Sequence, residues 1–453
     1  MSQNISINFR GALNSCRFFL LRGLLCVLVF FPAVGMAQHA YININDPLMR
    51  KIPVAVPFFK AFTGHEQEVS LGKNAVDIMS NALDFTGYLA VLDKASFIEN
   101  PAQKGITGAE INYKNWTVIG AELLITGGIV EQNGTVRLEL RLFDTFKETL
   151  LIGKVYTGNK EDIKSMVYRF CAEISLLLTG KMGVFGSRIA FVSTVKGNKE
   201  IFTCDFDGGN ISRVTNFNNI TISPAWSFDG NFIAFTSYAK GTPALYIRDL
   251  RSNSDVVLAK KGLNITPAWI PGQFALAATL SFSGDQDIYI VSGTGQVKNQ
   301  LTKVSGIDVS PAFSPDGGRF AFVSKRSGTP QIYIGDTGSG SATRLTFQGN
   351  YNTSPAWSPD GEKIAYVGVV KNSINIYVIG VNGGGPTQLT SGQGDNEDPS
   401  WSPDGNLIAF SSTRQGASRI FVMTATGADQ RLLFTLGGSQ TEPTWSSGVG
   451  NNK

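Results

Sequence analysis

Two histidines, His39 and His65, are all that 453 residues contain. The commonest general base and metal ligand is therefore missing from nearly the whole chain. A Ser-His-Asp arrangement has no histidine to draw on beyond residue 65. Also missing are a G-x-S-x-G elbow, an H-E-x-x-H pair, a paired C-x-x-C and a phosphate-binding glycine loop. These absences argue against hydrolase, metalloprotease and nucleotide chemistry. Cysteine is scarce too, with four copies. Cys171 and Cys204 stand in apolar patterns of different predicted domains, so buried free thiols are expected rather than a disulfide. After the first 37 residues no apolar run approaches the length of a membrane span.

Those first residues have their own pattern. Arg10, Arg17 and Arg22 occur with no acidic residue, "GLLCVLVFFPAV" follows, and Gly35 and Ala37 take the −3 and −1 positions of a cleavage site. Residues 1–37 thus read as an export signal, leaving a chain that starts at Gln38 in the periplasm. Taking three arginines from 39 basic residues leaves 36 against 35 acidic ones. A nearly neutral chain carries no electrostatic footprint for nucleic acid or for insertion into an anionic membrane.

What the sequence has in plenty is glycine, 50 residues of it, which favours an array of tight turns. The octapeptide "SPAWSPDG" at Ser354–Gly361 recurs as "SPAWSFDG" at Ser223, "TPAWIPGQ" at Thr266, "SPAFSPDG" at Ser310, "DPSWSPDG" at Asp398 and "EPTWSSGV" at Glu442. The prolines, from Pro224 to Pro443, are spaced 43, 44, 44, 44 and 44 residues apart. A period near 44 with four short β-branched and aromatic runs per unit predicts propeller blades. Pro-Asp-Gly is turn chemistry, so Asp229, Asp316, Asp360 and Asp404 read as turn residues and not as calcium ligands. Trp226, Trp269, Trp357, Trp401 and Trp445, with Phe313, read as plugs between blades. "RIAFVS" at Arg188 is a second strand lacking an anchor before it, and "EPTWSS" is an anchor lacking a second strand after it. Pairing the two closes a ring of six blades over residues 183–453.

Residues 38–182 lack the period and read as an α/β domain. "KIPVAVPFF" at Lys51 is strand-like, apolar residues from Val69 to Leu83 fall at helical spacing, and a second helix spans about Glu161–Leu178. Asn133-Gly134 between two apolar runs predicts a hairpin. In front lies "QHAYININDP", whose Gln38, His39, Ala40, Tyr41, Ile42, Asn43, Ile44 and Asn45 form an alternating segment suited to pairing with a partner's sheet edge, or to serving as a simple edge strand. Within the repeats, the residues three before each anchor proline are Thr221, Asn264, Asp308, Asn352, Asn396 and Gln440. All six are polar, so they read as a ring at one channel mouth, a place for recognition, or simply as polar loop.

Export signal, α/β domain and a six-bladed propeller marked by "SPAWSPDG" together make this chain similar to the TolB family of the periplasmic Tol–Pal cell-envelope system. The resemblance spans nearly all of residues 38–453. It implies an adaptor without catalysis, cofactor or metal, acting as a monomer in outer-membrane integrity and in envelope constriction at cell division. It further implies that the peptidoglycan-associated lipoprotein Pal binds at the channel mouth and that the periplasmic domain of TolA engages the segment Gln38–Pro47. The competing expectation is a secreted propeller enzyme or carbohydrate-binding protein using scattered carboxylates in the channel.

Overall fold

The computed structural model describes residues 50–448, apart from 196, 259, 282, 283 and 393. The export signal and the segment Gln38–Pro47 lie outside the described residues.

The α/β domain is built on a sheet in the order β3-β1-β4-β5-β6. Its strands are β1 (Ile52–Ala55), β2 (Lys60–Ala61), β3 (Leu89–Val91), β4 (Leu123–Gln132), β5 (Thr135–Asp144) and β6 (Thr149–Gly158). β1 runs parallel to β3 and β4, and β2 also pairs with β4. Asn133 and Gly134 link β4 to β5 with φ of 52° and 81°, the two left-handed residues a type I′ turn needs. α1 (Glu66–Phe85) and α4 (Ile163–Thr179) bury their apolar stripes on one face of the sheet, meeting Ile125, Leu138 and Leu140. α2 (Pro101–Lys104) is a single turn. α3 (Tyr113–Thr117) brings Trp116 to the opposite face, against Ala55, Leu124 and Phe143. Alternation along β1 and β4 feeds both cores. α4 stops at Gly180, whose left-handed φ of 76° suits a residue without a Cβ.

The propeller follows as six four-stranded antiparallel sheets. Blade 1 joins the C-terminal strand Gln440–Trp445 to Arg188–Val195, with Gln440 opposite Ser193 and Trp445 opposite Ile189, so the ring closes as expected. Blades 2 to 6 begin with inner strands Thr221–Trp226, Asn264–Trp269, Asp308–Phe313, Tyr351–Trp357 and Asn396–Trp401. The expected domain boundary at 182/183 falls in the connection between α4 and Arg188.

The octapeptide turns are held by their own side chains. Ser358 Oγ donates to Asp360 Oδ1 at 2.5 Å, Glu362 N–H donates to the same oxygen at 3.0 Å, and Lys363 N–H donates to Ser358 Oγ at 2.9 Å. In "TPAWIPGQ" these side chains are absent. There Gly272 takes φ of 70° and Gln273 N–H reaches the Ile270 carbonyl at 3.2 Å. The tryptophans do plug the blades. Trp226, Trp269 and Trp401 each donate Nε1–H to the carbonyl of Thr444, Ala225 or Ala356 in the preceding blade at 3.1 Å.

The domain and the propeller share one core. Phe206 of blade 1 has ring centroids 5.2 Å from Phe85, 5.1 Å from Tyr168 and 5.8 Å from Phe185. Cys171 of α4 and Cys204 of blade 1 belong to the same buried cluster. Both are free thiols, and burial pushes both well above the usual thiol range.

Candidate functional site

Every inner strand carries the same irregularity. Its pairing register slips just before the anchor proline, between Ile222 and Ala225 in blade 2 and at the matching places elsewhere. The residue at the slip is left-handed: Ser223, Thr266, Ser310, Ser354, Asp398 and Glu442 have φ between 48° and 55°. No glycine stands there, so each bulge stores on the order of 1 kcal/mol of strain, held in place by the surrounding blades.

These six residues and their prolines line the waist of the channel. Three contacts link five of the bulges across blades. Ser310 N–H points to Thr266 Oγ1 at 3.4 Å, Glu442 N–H donates to Asp398 Oδ2 at 3.2 Å, and Ser223 N–H donates to Glu442 Oε2 at 2.6 Å. Four members are small and hydroxylated, and the acids are neighbours. Burial, with repulsion from Asp398, pushes the Glu442 carboxyl up to about 7. Burial likewise raises Asp398, against hydrogen bonds from Glu442 N–H and Ser411 Oγ. The waist can therefore hold a proton as well as accept hydrogen bonds. Beyond it, on the side of the octapeptide turns, the channel widens into a recess of about 480 Å³ lined by the six prolines and the tryptophans.

The six polar residues chosen from the sequence stand in register at the entrances of the inner strands, yet each is at most 1% exposed. None of them borders either channel cavity. Their side chains tie entry loops to blades. Asn264 Nδ2 donates to the carbonyls of Lys260 and Gly262 at 2.8 and 3.0 Å. Asn352 Nδ2 donates to Gln331 Oε1 and to the Gln348 carbonyl, both at 2.8 Å. Asp308 accepts from the Arg326 guanidinium at 2.8 Å, and Asn396 from that of Arg414 at 2.8 Å. Thr221 shares a bond with Ser237 at 3.1 Å, and Gln440 Nε2 donates to the Gly437 carbonyl at 2.9 Å. The lining positions were available in the sequence as the first letter of each octapeptide. Gln38, His39, Ala40, Tyr41, Ile42, Asn43, Ile44 and Asn45 are outside the described residues.

Among the described residues no three His, Cys, Asp or Glu side chains group so as to hold a metal ion, and no helix is long and apolar enough to cross a membrane.

Two family models match this chain: the TolB amino-terminal domain over residues 40–151 and the TolB beta propeller domain over residues 176–449. A protein of Desulfosudis oleivorans named Tol-Pal system protein TolB is 53% identical over 279 residues, covering 62% of this chain and 64% of that protein. A TolB homolog of Chlorobaculum tepidum is 43% identical over 286 residues, again 62% of this chain and 64% of the relative. The crystal structure of TolB from Acinetobacter baumannii superposes with a TM-score of 0.75 at 28% identity, over 88% of this chain and 97% of that one.

Proposed function

From the premise that this chain belongs to the TolB family, we propose that it is a periplasmic adaptor without catalytic activity in the Tol–Pal system. It binds the lipoprotein Pal at the propeller's channel and TolA through residues 38–47, supporting outer-membrane integrity and envelope constriction at cell division. One observation carries this reading. The channel is a ring-shaped recess with rigid proline walls and a waist of hydroxyls and two acids, the form of a socket for a protruding polypeptide segment. The six buried polar residues brace the loops at the opposite end of the inner strands.

The test is capture of the purified periplasmic domains of Pal and TolA by the tagged chain. Ser310→Arg with Ser354→Arg puts two long cations into the waist at positions already left-handed. Pal affinity is expected to fall by at least about tenfold, with TolA binding and the circular dichroism spectrum unchanged. Deleting residues 38–47 is expected to remove TolA binding alone. Equal Pal capture by wild type and the double variant would sink the channel site, and failure of the wild type to bind either domain would sink the adaptor reading.

A further inference from the structure

We propose that the groove between blades 4 and 5 is a binding site for a small amphipathic anion, an aromatic ring carrying a carboxylate or sulfonate. The groove is a cavity of about 600 Å³ with Ile334, Leu345, Tyr366 and Ile379 among its walls and Arg319 and Arg344 at its sides. That volume suits one ring system with a charged tail.

The internal repeat explains why this groove is open. In the loop leading to blade 2, Phe217 stands four residues before Thr221 and packs onto the blade, its ring 6.0 Å from Phe235 and 5.0 Å from Tyr246. The same place before Asn352 is taken by Gln348. The loop's aromatic residue is instead Phe347, 74% exposed, with the Arg344 guanidinium 4.8 Å from its ring centre. Across the groove, Gly383 and Gly384 have nothing near where a Cβ would stand.

The arginines are the second, independent sign. Arg188 of blade 1 lies 4.7 Å over Trp226 and donates to the Gly230 carbonyl at 3.1 Å. Arg319 lies in the same way 5.2 Å over Trp357, but among the described residues its guanidinium donates to no acceptor and senses Asp316 and Asp336 only through space. Arg344 uses Nε on the Thr346 carbonyl at 2.6 Å, leaving its terminal amino groups to donate outward. The carboxylate that shares the groove, Asp336, accepts from Gly338 N–H and from Ser339 N–H and Oγ, all three on Oδ1. An anion between Arg319 and Arg344, its ring against Phe347 and Tyr366, meets these unused donors with charge-assisted bonds.

The probe is 1-naphthaleneacetate, titrated calorimetrically into residues 38–453 beside its neutral amide. Saturable one-to-one binding is expected, weakened about tenfold or more by the amide and by Arg344→Gln. Gln348→Phe, which restores the blade 2 plug, is expected to abolish binding while leaving a cooperative thermal melt. Equal affinity for acid and amide would reduce the site to an apolar crevice and overturn the proposal. So would no binding up to about 10 mM, or binding unchanged in both variants. An acetylated peptide ending in tryptophan with a free carboxylate is the last arm: affinity about tenfold above the free acid would assign the groove to a polypeptide terminus instead.

Discussion

Glu442 stands where burial and a neighbouring carboxylate both oppose ionisation, with Lys199 nearby to offset them in part. Its folded pKa of about 7 lies above the ordinary value of 4.5. The folded chain therefore retains a proton that the unfolded chain releases, and this contribution to stability is complete below about 4.5 and lost as pH rises through about 7. Because Asp398 is coupled to it, the pair titrates as a unit. Glu442→Gln should flatten the fall in unfolding free energy between pH 5 and 8 and raise stability at pH 8 by on the order of 2 kcal/mol, measured by urea denaturation at each pH. A slope unchanged by the substitution would remove the waist proton. The residues at this waist were harder to identify than the turns around it. A residue before proline ordinarily prefers extended backbone, whereas here all six are left-handed. The resulting bulge shifts which side chains face the channel, so counting along the strand picked Thr221 and its counterparts, which are buried, over Ser223 and its counterparts.

Whole elements were more legible where their chemistry is local. Asn133-Gly134 marked its hairpin, and Ser-Pro-Asp-Gly marked the turns because its serine and aspartate bond within the turn. β6 gave no comparable signal: it is an edge strand with Leu150 and Val155 in solvent, so its apolar residues do not map onto a core face. The C-terminal strand was legible only through the repeat, as an anchor missing its partner. Deleting residues 440–448 should leave blade 1 without an inner strand and expose its buried tryptophan position. Loss of about 5 kcal/mol or more is expected, seen as a thermal midpoint lowered by about 10 °C or more. A melt like that of the intact chain would mean the ring does not depend on this closure.

For the molecule as a whole, the apolar continuity from α1 and α4 into blade 1 predicts that domain and propeller unfold together. Phe206 is its central contact, touching rings of α1, α4 and the connection between domains. Phe206→Ala should cost about 3–5 kcal/mol and split a single calorimetric transition into two. One transition retained in the variant would place the coupling elsewhere, for instance in Lys164 with Asp205 at 2.5 Å or Tyr168 with Asp207 at 3.0 Å.

The period, the number of blades, the plug tryptophans, the way the ring closes and the order of the two domains can all be read from the residues in order. Each of these is written in residues that repeat or that act on their immediate neighbours, so no distant contact has to be known. That Cys171 and Cys204 share one core, that the acids Asp398 and Glu442 meet in the channel, and that the groove beside Phe347 stands open follow from the folded packing alone. Those depend on how blades and domain come together, where burial, cross-blade hydrogen bonds and a bulge against local preference outweigh what any short stretch favours alone.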